Sequence, residues 1–256
     1  MPVSKTRRPP VLFRAHAAAD RALRLASAVA LLGTLSGCQG IVSSPIRSQV
    51  RIIDASPDAT GLDMHLGSNA LAYNLGFGTI TSYIPLDPGT FTVSAKSVGT
   101  AQVLTTAKGT FAASGQYTVL IGNVSANLTE SILKDQNQAA PSGQIALRFI
   151  SQATRVSGLD VYLVPSGQTL LTVTALYTNL TFGVNSGYLN VPTGTYTLVI
   201  VPTGTVPSST SVAAYTGSKI TYTSGSARTI VLIDQHDGAG LKVITAADYD
   251  SPTAAS

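Results

Sequence analysis

Tryptophan is absent from the 256-residue chain, cysteine occurs once and histidine three times. A single cysteine excludes an intramolecular disulfide and the paired thiolate spacings of a structural zinc site. Charge is scarce too: Asp, Glu, Lys and Arg make up 11% of the residues, against roughly 25% in an average soluble domain. The surface must therefore be covered by Ser, Thr, Gly, Asn and Gln, as is common in extracytoplasmic β proteins. No phosphate-binding glycine loop is present, no serine sits in a G-x-S-x-G context, and no motif implies a cofactor.

The positive charge is confined to one end. Lys5, Arg7, Arg8, Arg14, Arg21 and Arg24 precede residue 38 with only Asp20 against them, and from Cys38 onward 10 basic and 11 acidic residues leave a balance of −1. The formal net charge of +4 thus describes a leader. It gives no support for nucleic-acid binding, which needs basic residues clustered on the folded part.

That leader has a basic start, an apolar stretch "LASAVALLGTL" (25–35) and then "LSGC" ending at Cys38. The pattern predicts a secretory signal peptide over 1–37. Its apolar stretch is shorter than the roughly 20 residues of a membrane-spanning helix. Leu-Ser-Gly-Cys resembles the bacterial lipobox, in which the cysteine becomes the acylated first residue of the mature protein. Lipidation would give the lone Cys38 a use and would attach the protein to a membrane. Gln39 in place of Asp implies outer-membrane sorting if the host is Gram-negative.

Beyond a tether (38–48) the chain reads as β-strands, and it reads so twice. "RIIDASPDATGLDMHL" from Arg51 matches "RFISQATRVSGLDVYL" from Arg148, and "FGTITSYIPLDPGTFTV" (77–93) matches "FGVNSGYLNVPTGTYTL" (182–198). "YTVLIG" (117–122) pairs with "RTIVLID" (228–234). The offset grows from 97 to 105 residues, so the second copy has longer loops. About seven short strands per copy, with turn residues every 8–12 positions, predict two tandem immunoglobulin-like β-sandwich domains. The expected boundaries are 49–136 and 144–250, joined by a linker at 137–143 and followed by a disordered tail at 251–256. The segment "DQNQAAPSG" (135–143) has the Pro, Gly and amides of a connection.

The opening strand, the Ser-Pro-Asp-Ala segment, the Asp-containing second strand, Phe-Gly, Tyr and the Pro-Gly-Thr-aromatic turn resemble the bacterial domain of unknown function 4397, DUF4397. The second copy lacks Ser-Pro-Asp and keeps the rest. The resemblance implies an exported immunoglobulin-like β domain, often in tandem, and brings no established activity.

The stretch "DASPDATGLD" (54–63) concentrates chemistry. Asp54, Ser56, Asp58 and Thr60 fall at positions one, three, five and seven of a calcium loop. Against that, Ala59 stands where such a loop needs Gly, His65 where it needs a bidentate Glu, and strands flank both sides. The second copy has Ser151, Ala153 and Arg155 in place of Asp54, Ser56 and Asp58, but repeats Gly61-Leu62-Asp63 as Gly158-Leu159-Asp160. The shared residues are expected to serve the fold: turn glycines, core leucines, and Asp63 and Asp160 capping loop N–H groups. Asp54, Ser56, Asp58, Thr60 and Asp63 remain the candidate ligand or metal loop. His65 aligns with Tyr162 and reads as a packing residue. Asp234, His236 and Asp237 form a second polar turn without a counterpart. Tyr73, Tyr177, Tyr215 and Tyr222 are available for a binding surface, whereas Tyr83, Tyr117, Tyr188 and Tyr196 recur and read as core.

These features predict a non-enzymatic, lipid-anchored cell-envelope protein, a structural, adhesion or binding module whose partner is an envelope protein or glycan. The alternatives are a glycan- or calcium-dependent binder using the loop at 54–61 and an envelope hydrolase with its carboxylates there. Replacing Cys38 by Ala is expected to release the protein from bacterial membranes and to remove lipid mass from its N-terminus. Unchanged membrane association with no lipid on Cys38 would refute the anchor.

Overall fold

The computed structural model describes residues 46–208, 211–236 and 240–250. The signal peptide, Cys38 and the 251–256 tail lie outside the described residues. Eight strands come from the first copy: β1 (Ser48–Asp54), β2 (Leu62–Leu66), β3 (Asn69–Leu75), β4 (Ile84–Leu86), β5 (Gly89–Ser97), β6 (Val103–Phe111), β7 (Gln116–Gly122) and β8 (Thr129–Lys134). Eight come from the second: β9 (Gln144–Ser151), β10 (Leu159–Pro165), β11 (Tyr177–Leu180), β12 (Asn185–Pro192), β13 (Gly194–Pro202), β14 (Tyr215–Tyr222), β15 (Ala227–Asp234) and β16 (Leu241–Tyr249). That is one more per copy than the sequence reading allowed, because a strand as short as the three residues of β4 carries no alternation of its own.

Each copy is a sandwich of two four-stranded sheets. The first pairs β4-β1-β7-β8 with β3-β2-β5-β6, and the second repeats it as β12-β9-β15-β16 with β11-β10-β13-β14. The central pairs β1/β7 and β9/β15 are parallel, and the other pairs are antiparallel. The Phe-Gly turns before β4 and β12 use left-handed glycines in both copies, Gly78 at φ 77° and Gly183 at φ 78°. Only glycine adopts that backbone without strain.

Alternation along the strands decides what faces what. Val50 and Ile52 of β1 and Val119 and Ile121 of β7 point into the first sandwich, where they meet Leu62, Met64, Val93 and Phe111. Ile145, Leu147 and Phe149 of β9 do the same in the second. The residues between them turn the other way. Ile53, Ala55 and Leu120 from the first copy bury against Ile150, Val231, Ile233 and Ala246 from the second. The two inner sheets therefore pack back to back, the order of layers is outer, inner, inner, outer, and the described residues form one compact unit. Strands buried on both faces read as nearly continuous apolar runs, and "VRII", "TVLI" and "IALRFI" are such runs.

Two arginines interrupt those runs, and both are 2% exposed. Arg51 donates from Nε to Thr118 Oγ1 (2.9 Å), from one terminal nitrogen to the Ala247 carbonyl (2.7 Å) and from the other to Asp248. Arg148 donates from Nε to Thr229 Oγ1 (3.0 Å), then to the Lys134 carbonyl (3.1 Å) and to Asp135. Each arginine thus uses a threonine of its own copy and a carboxylate of the other. Asp135 also accepts from Tyr83 Oη (2.7 Å) and Thr118 Oγ1 (2.6 Å), and Asp248 from Tyr188 Oη (2.8 Å) and Thr229 Oγ1 (2.7 Å). The guanidinium of Arg51 lies 4.8 Å from the centre of the Tyr83 ring, and that of Arg148 lies 4.7 Å from Tyr188. Such reciprocity, i to j and j to i, is the mark of an isologous interface.

Electrostatics accord with this geometry. Burial disfavours the Arg51 charge, but Asp135 and Asp248 outweigh it and hold the guanidinium more firmly protonated than usual. Burial and the adjacent carboxylates push the Tyr83 and Tyr188 hydroxyls up, so both stay neutral donors. Tyr83 and Tyr188, read from the sequence as core, are therefore parts of a polar network. Asp135, read as the start of a linker, is one of its anchors.

Removing one partner of a buried pair strands the other without a counter-charge, at a cost of about 3–5 kcal/mol. Arg148→Met is expected to lower unfolding stability by that amount, measured by urea denaturation of the full chain. Its surface neighbour in sequence type, Arg228→Met, is expected to cost under about 1 kcal/mol, because its partner Asp250 is solvent-exposed. Equal effects from the two substitutions would contradict the assignment.

Candidate functional site

The ten residues 54–63 do not act as one site. Asp54 is fully buried at the end of β1, where its Oδ1 accepts from the N–H of Ser56 (3.0 Å). Asp58 accepts from the N–H of Ser125 (2.7 Å), before β8. Thr60 is exposed. Asp63 accepts from the N–H groups of Asn74 (2.8 Å) and Gly99 (2.9 Å), and these bonds hold its carboxyl below its ordinary value. Its counterpart Asp160 accepts from Asn179 N–H and Thr203 Oγ1, both at 2.8 Å. The carboxylates are thus turned to different backbone segments. Among the described residues no group of three or more His, Cys, Asp or Glu side chains is placed to hold a metal.

Gly61 and Gly158 differ from the turn glycines expected there. Neither has positive φ; Asn74 (φ 48°) and Asn179 (φ 54°) carry the left-handed backbone opposite them. A methyl group at either glycine would collide with the side-chain oxygen of that asparagine. The Gly-Leu-Asp motif is therefore a clamp: the glycine admits the asparagine side chain, and the aspartate two positions on caps its N–H.

The variable half of the stretch lies at the seam between copies. Pro57 offers its carbonyl to His236 Nδ1 (3.2 Å), and the His236 ring stacks on Phe77 with centroids 5.6 Å apart. From the other side Gln152, at the position of Ala55, lies against Gly122, where a Cβ would strike its amide. Asp234 caps the N–H groups of Thr154 and Arg155 (2.9 and 3.1 Å). Asp237 lies outside the described residues.

Each sandwich has an open seam on the side where β3 faces β4 and β11 faces β12. A cleft of about 320 Å³ is lined there by Leu66, Leu71, Leu86 and Phe91, rimmed by Arg47 and Asp87. Its equivalent of about 230 Å³ is lined by Leu163, Leu176, Val191 and Tyr196. Ligand pockets occupy roughly 300–1,000 Å³, so both are at or below the lower limit. They are gaps between sheet edges rather than formed pockets.

The outer faces are where the copies part. In the second copy Tyr162, Val164 and Val201 form an apolar outer surface, covered by Leu170, Val173 and Ala175 from the β10–β11 connection and Ala213 from the β13–β14 connection. Those two connections are the longer loops that the growing offset revealed. In the first copy the same positions hold His65, Gly67 and Lys96, the connections are short, and the face is bare. Tyr73 stands on it, 69% exposed, with its ring edge-on to His65 at 6.3 Å. Of the tyrosines assigned from the sequence to a surface, Tyr73 alone is in the open; Tyr177 and Tyr215 pack on the second core and Tyr222 is 7% exposed within it.

Two carboxylates of the first copy have buried oxygens outside any hydrogen bond. Asp54 Oδ2 and both oxygens of Glu130 are buried without a hydrogen bond. Burial pushes Asp54 up to about 6 and Glu130 up to about 8. A carboxyl raised on folding contributes stability while protonated and loses it as pH rises from the unfolded value through the folded one. Glu130→Gln is therefore expected to leave stability unchanged near pH 4 and to raise it near pH 9 by on the order of 2 kcal/mol. A pH-independent effect of this substitution in thermal melts would contradict the burial of Glu130.

No curated protein matches the chain. Among solved structures, the family CBM26 module of Eubacterium rectale Amy13K, in complex with maltoheptaose, is similar at 11% identity with a TM-score of 0.23, over 80% of this chain and 98% of that chain. The family model of DUF4397, a domain of unknown function, matches residues 48–162, which span the whole first sandwich, the first strand of the second and part of its next strand.

Proposed function

We propose that the protein is a non-enzymatic binding module of the bacterial cell envelope, exported and held to a membrane by lipid on Cys38. The observation that carries this reading is the difference between the two outer faces. One is sealed by its own loops, and the other is left open, with an exposed tyrosine on β3 and outward threonines and lysines on β5 and β6. An exposed aromatic on a flat, polar sheet has the area and the polar rim of a recognition surface. Six charged groups are engaged structurally: Arg51, Arg148, Asp135 and Asp248 with one another, Asp63 and Asp160 with loop backbone. A calcium-dependent loop at 54–61 has less support, because Asp54 and Asp58 accept from separate backbone segments.

Sedimentation of purified protein with isolated envelopes tests the binding reading. Retention insensitive to chelator and reduced about tenfold by Tyr73→Ala is expected. Retention unchanged by Tyr73→Ala, or turnover of an envelope substrate, would overturn it.

A further inference from the structure

We propose that the bare outer face of the first copy, the sheet β3-β2-β5-β6, binds an acidic polysaccharide; this rests on that face being the binding surface. Outward positions on its strands alternate with the core positions Met64, Val93 and Ala95. On β5 they are Thr90, Thr92, Ser94 and Lys96, and on β6 Thr106, Lys108 and Thr110. The register sets Thr90 opposite Thr110, Thr92 opposite Lys108 and Ser94 opposite Thr106. The hydroxyls of Thr90 and Thr110 bond each other at 2.8 Å. Beside Ser94, on β2, stands His65, which faces Tyr73.

Three properties converge on one ligand chemistry. Four strands about 4.8 Å apart make an open surface roughly 15 Å across, which suits an extended polymer better than a small molecule. Tyr73 supplies a ring steadied by His65, and flat rings of a polysaccharide pack against such a platform, while the threonine row offers hydroxyls that both donate and accept. The charge is basic where it is accessible. Lys96 and Lys108 are the cations of these four strands, and Asp63 is the sole carboxylate. Asp63 is 7% exposed and its two oxygens accept from Asn74 and Gly99, but it stands opposite Lys96 in the register and offsets part of that charge, whereas Lys108 stands opposite Thr92. A neutral glycan would leave the Lys108 ammonium unused, whereas a uronate carboxylate would pair with it.

The second copy supports this by contrast. Lys219 opposite Thr197, and Thr195 bonded to Thr221 at 2.7 Å, repeat part of the row. But Val201 replaces Lys96, Tyr162 replaces His65, and loops lie over the middle of the face. The array is complete only in the first copy.

The test uses the detergent-purified full chain on immobilised polygalacturonate, with dextran and phosphatidylglycerol vesicles as comparisons. Retention on polygalacturonate alone, weakening as salt is raised, is expected. Tyr73→Ala should weaken it about tenfold, as should Lys108→Glu, while Lys219→Glu leaves it unchanged. Unchanged melting curves for these variants keep folding out of the comparison. Equal retention on dextran, retention on vesicles only, no retention at all, or equal losses from Lys108→Glu and Lys219→Glu would each overturn the proposal. Envelope binding that Tyr73→Ala abolishes but polygalacturonate does not compete would refute the acidic ligand and leave the binding reading standing.

Discussion

Arg51 reaching Asp248, and Arg148 reaching Asp135, fasten each copy of the sandwich to the carboxylate of the other. Everything else in the architecture is arranged around that exchange. Its net energy is small by itself, since desolvating two guanidinium–carboxylate pairs consumes most of their attraction. The driving force lies beside it, in Ile53, Leu120, Ile150, Val231 and Ile233, each at most 2% exposed. At roughly 1.5–3 kcal/mol per buried aliphatic side chain, these are worth on the order of 10 kcal/mol as an upper estimate. Apolar burial holds the inner sheets together, and the ionic exchange fixes how they meet. A one-residue slip of either strand would turn its arginine into the sandwich core.

A fixed inner pairing leaves the outer sheets free to differ. The first copy kept short connections and a polar face; the second gained two longer connections and an apolar face beneath them. Much of the difference between the copies therefore lies on surfaces that do not hold the pair together. The same logic explains the acidic stretch. Gly61 and Asp63 form a clamp on Asn74 that recurs on Asn179, so they are shared, while Pro57 meets His236 at the seam, where the halves touch with unequal partners.

Much of this was legible in the residues. Alternation and turn chemistry predict the strands, the internal match predicts two equivalent sandwiches, and the recurrence of Gly-Leu-Asp predicts capping aspartates. What escaped was long-range. Arg51 and Arg148 recur at matched positions inside apolar runs, which signals a buried role, but nothing local names Asp248, 197 residues from Arg51, or singles out Asp135, 13 residues before Arg148. The continuous apolar runs around them are the signal that could have shown burial on both faces. Tyr83 and Tyr188 were visible as repeated residues, yet whether a repeated tyrosine spends its ring in a core or its hydroxyl in a network depends on what lies across the interface. The reason for the longer loops, covering Tyr162 and Val201, likewise exists only in three dimensions.

The central claim is that the two copies are one cooperative unit made by reciprocal exchange. Differential scanning calorimetry of the full chain tests it most directly. The account predicts a single transition whose calorimetric and van't Hoff enthalpies agree, as for one folding unit. Two separable transitions, one for each sandwich, would contradict it.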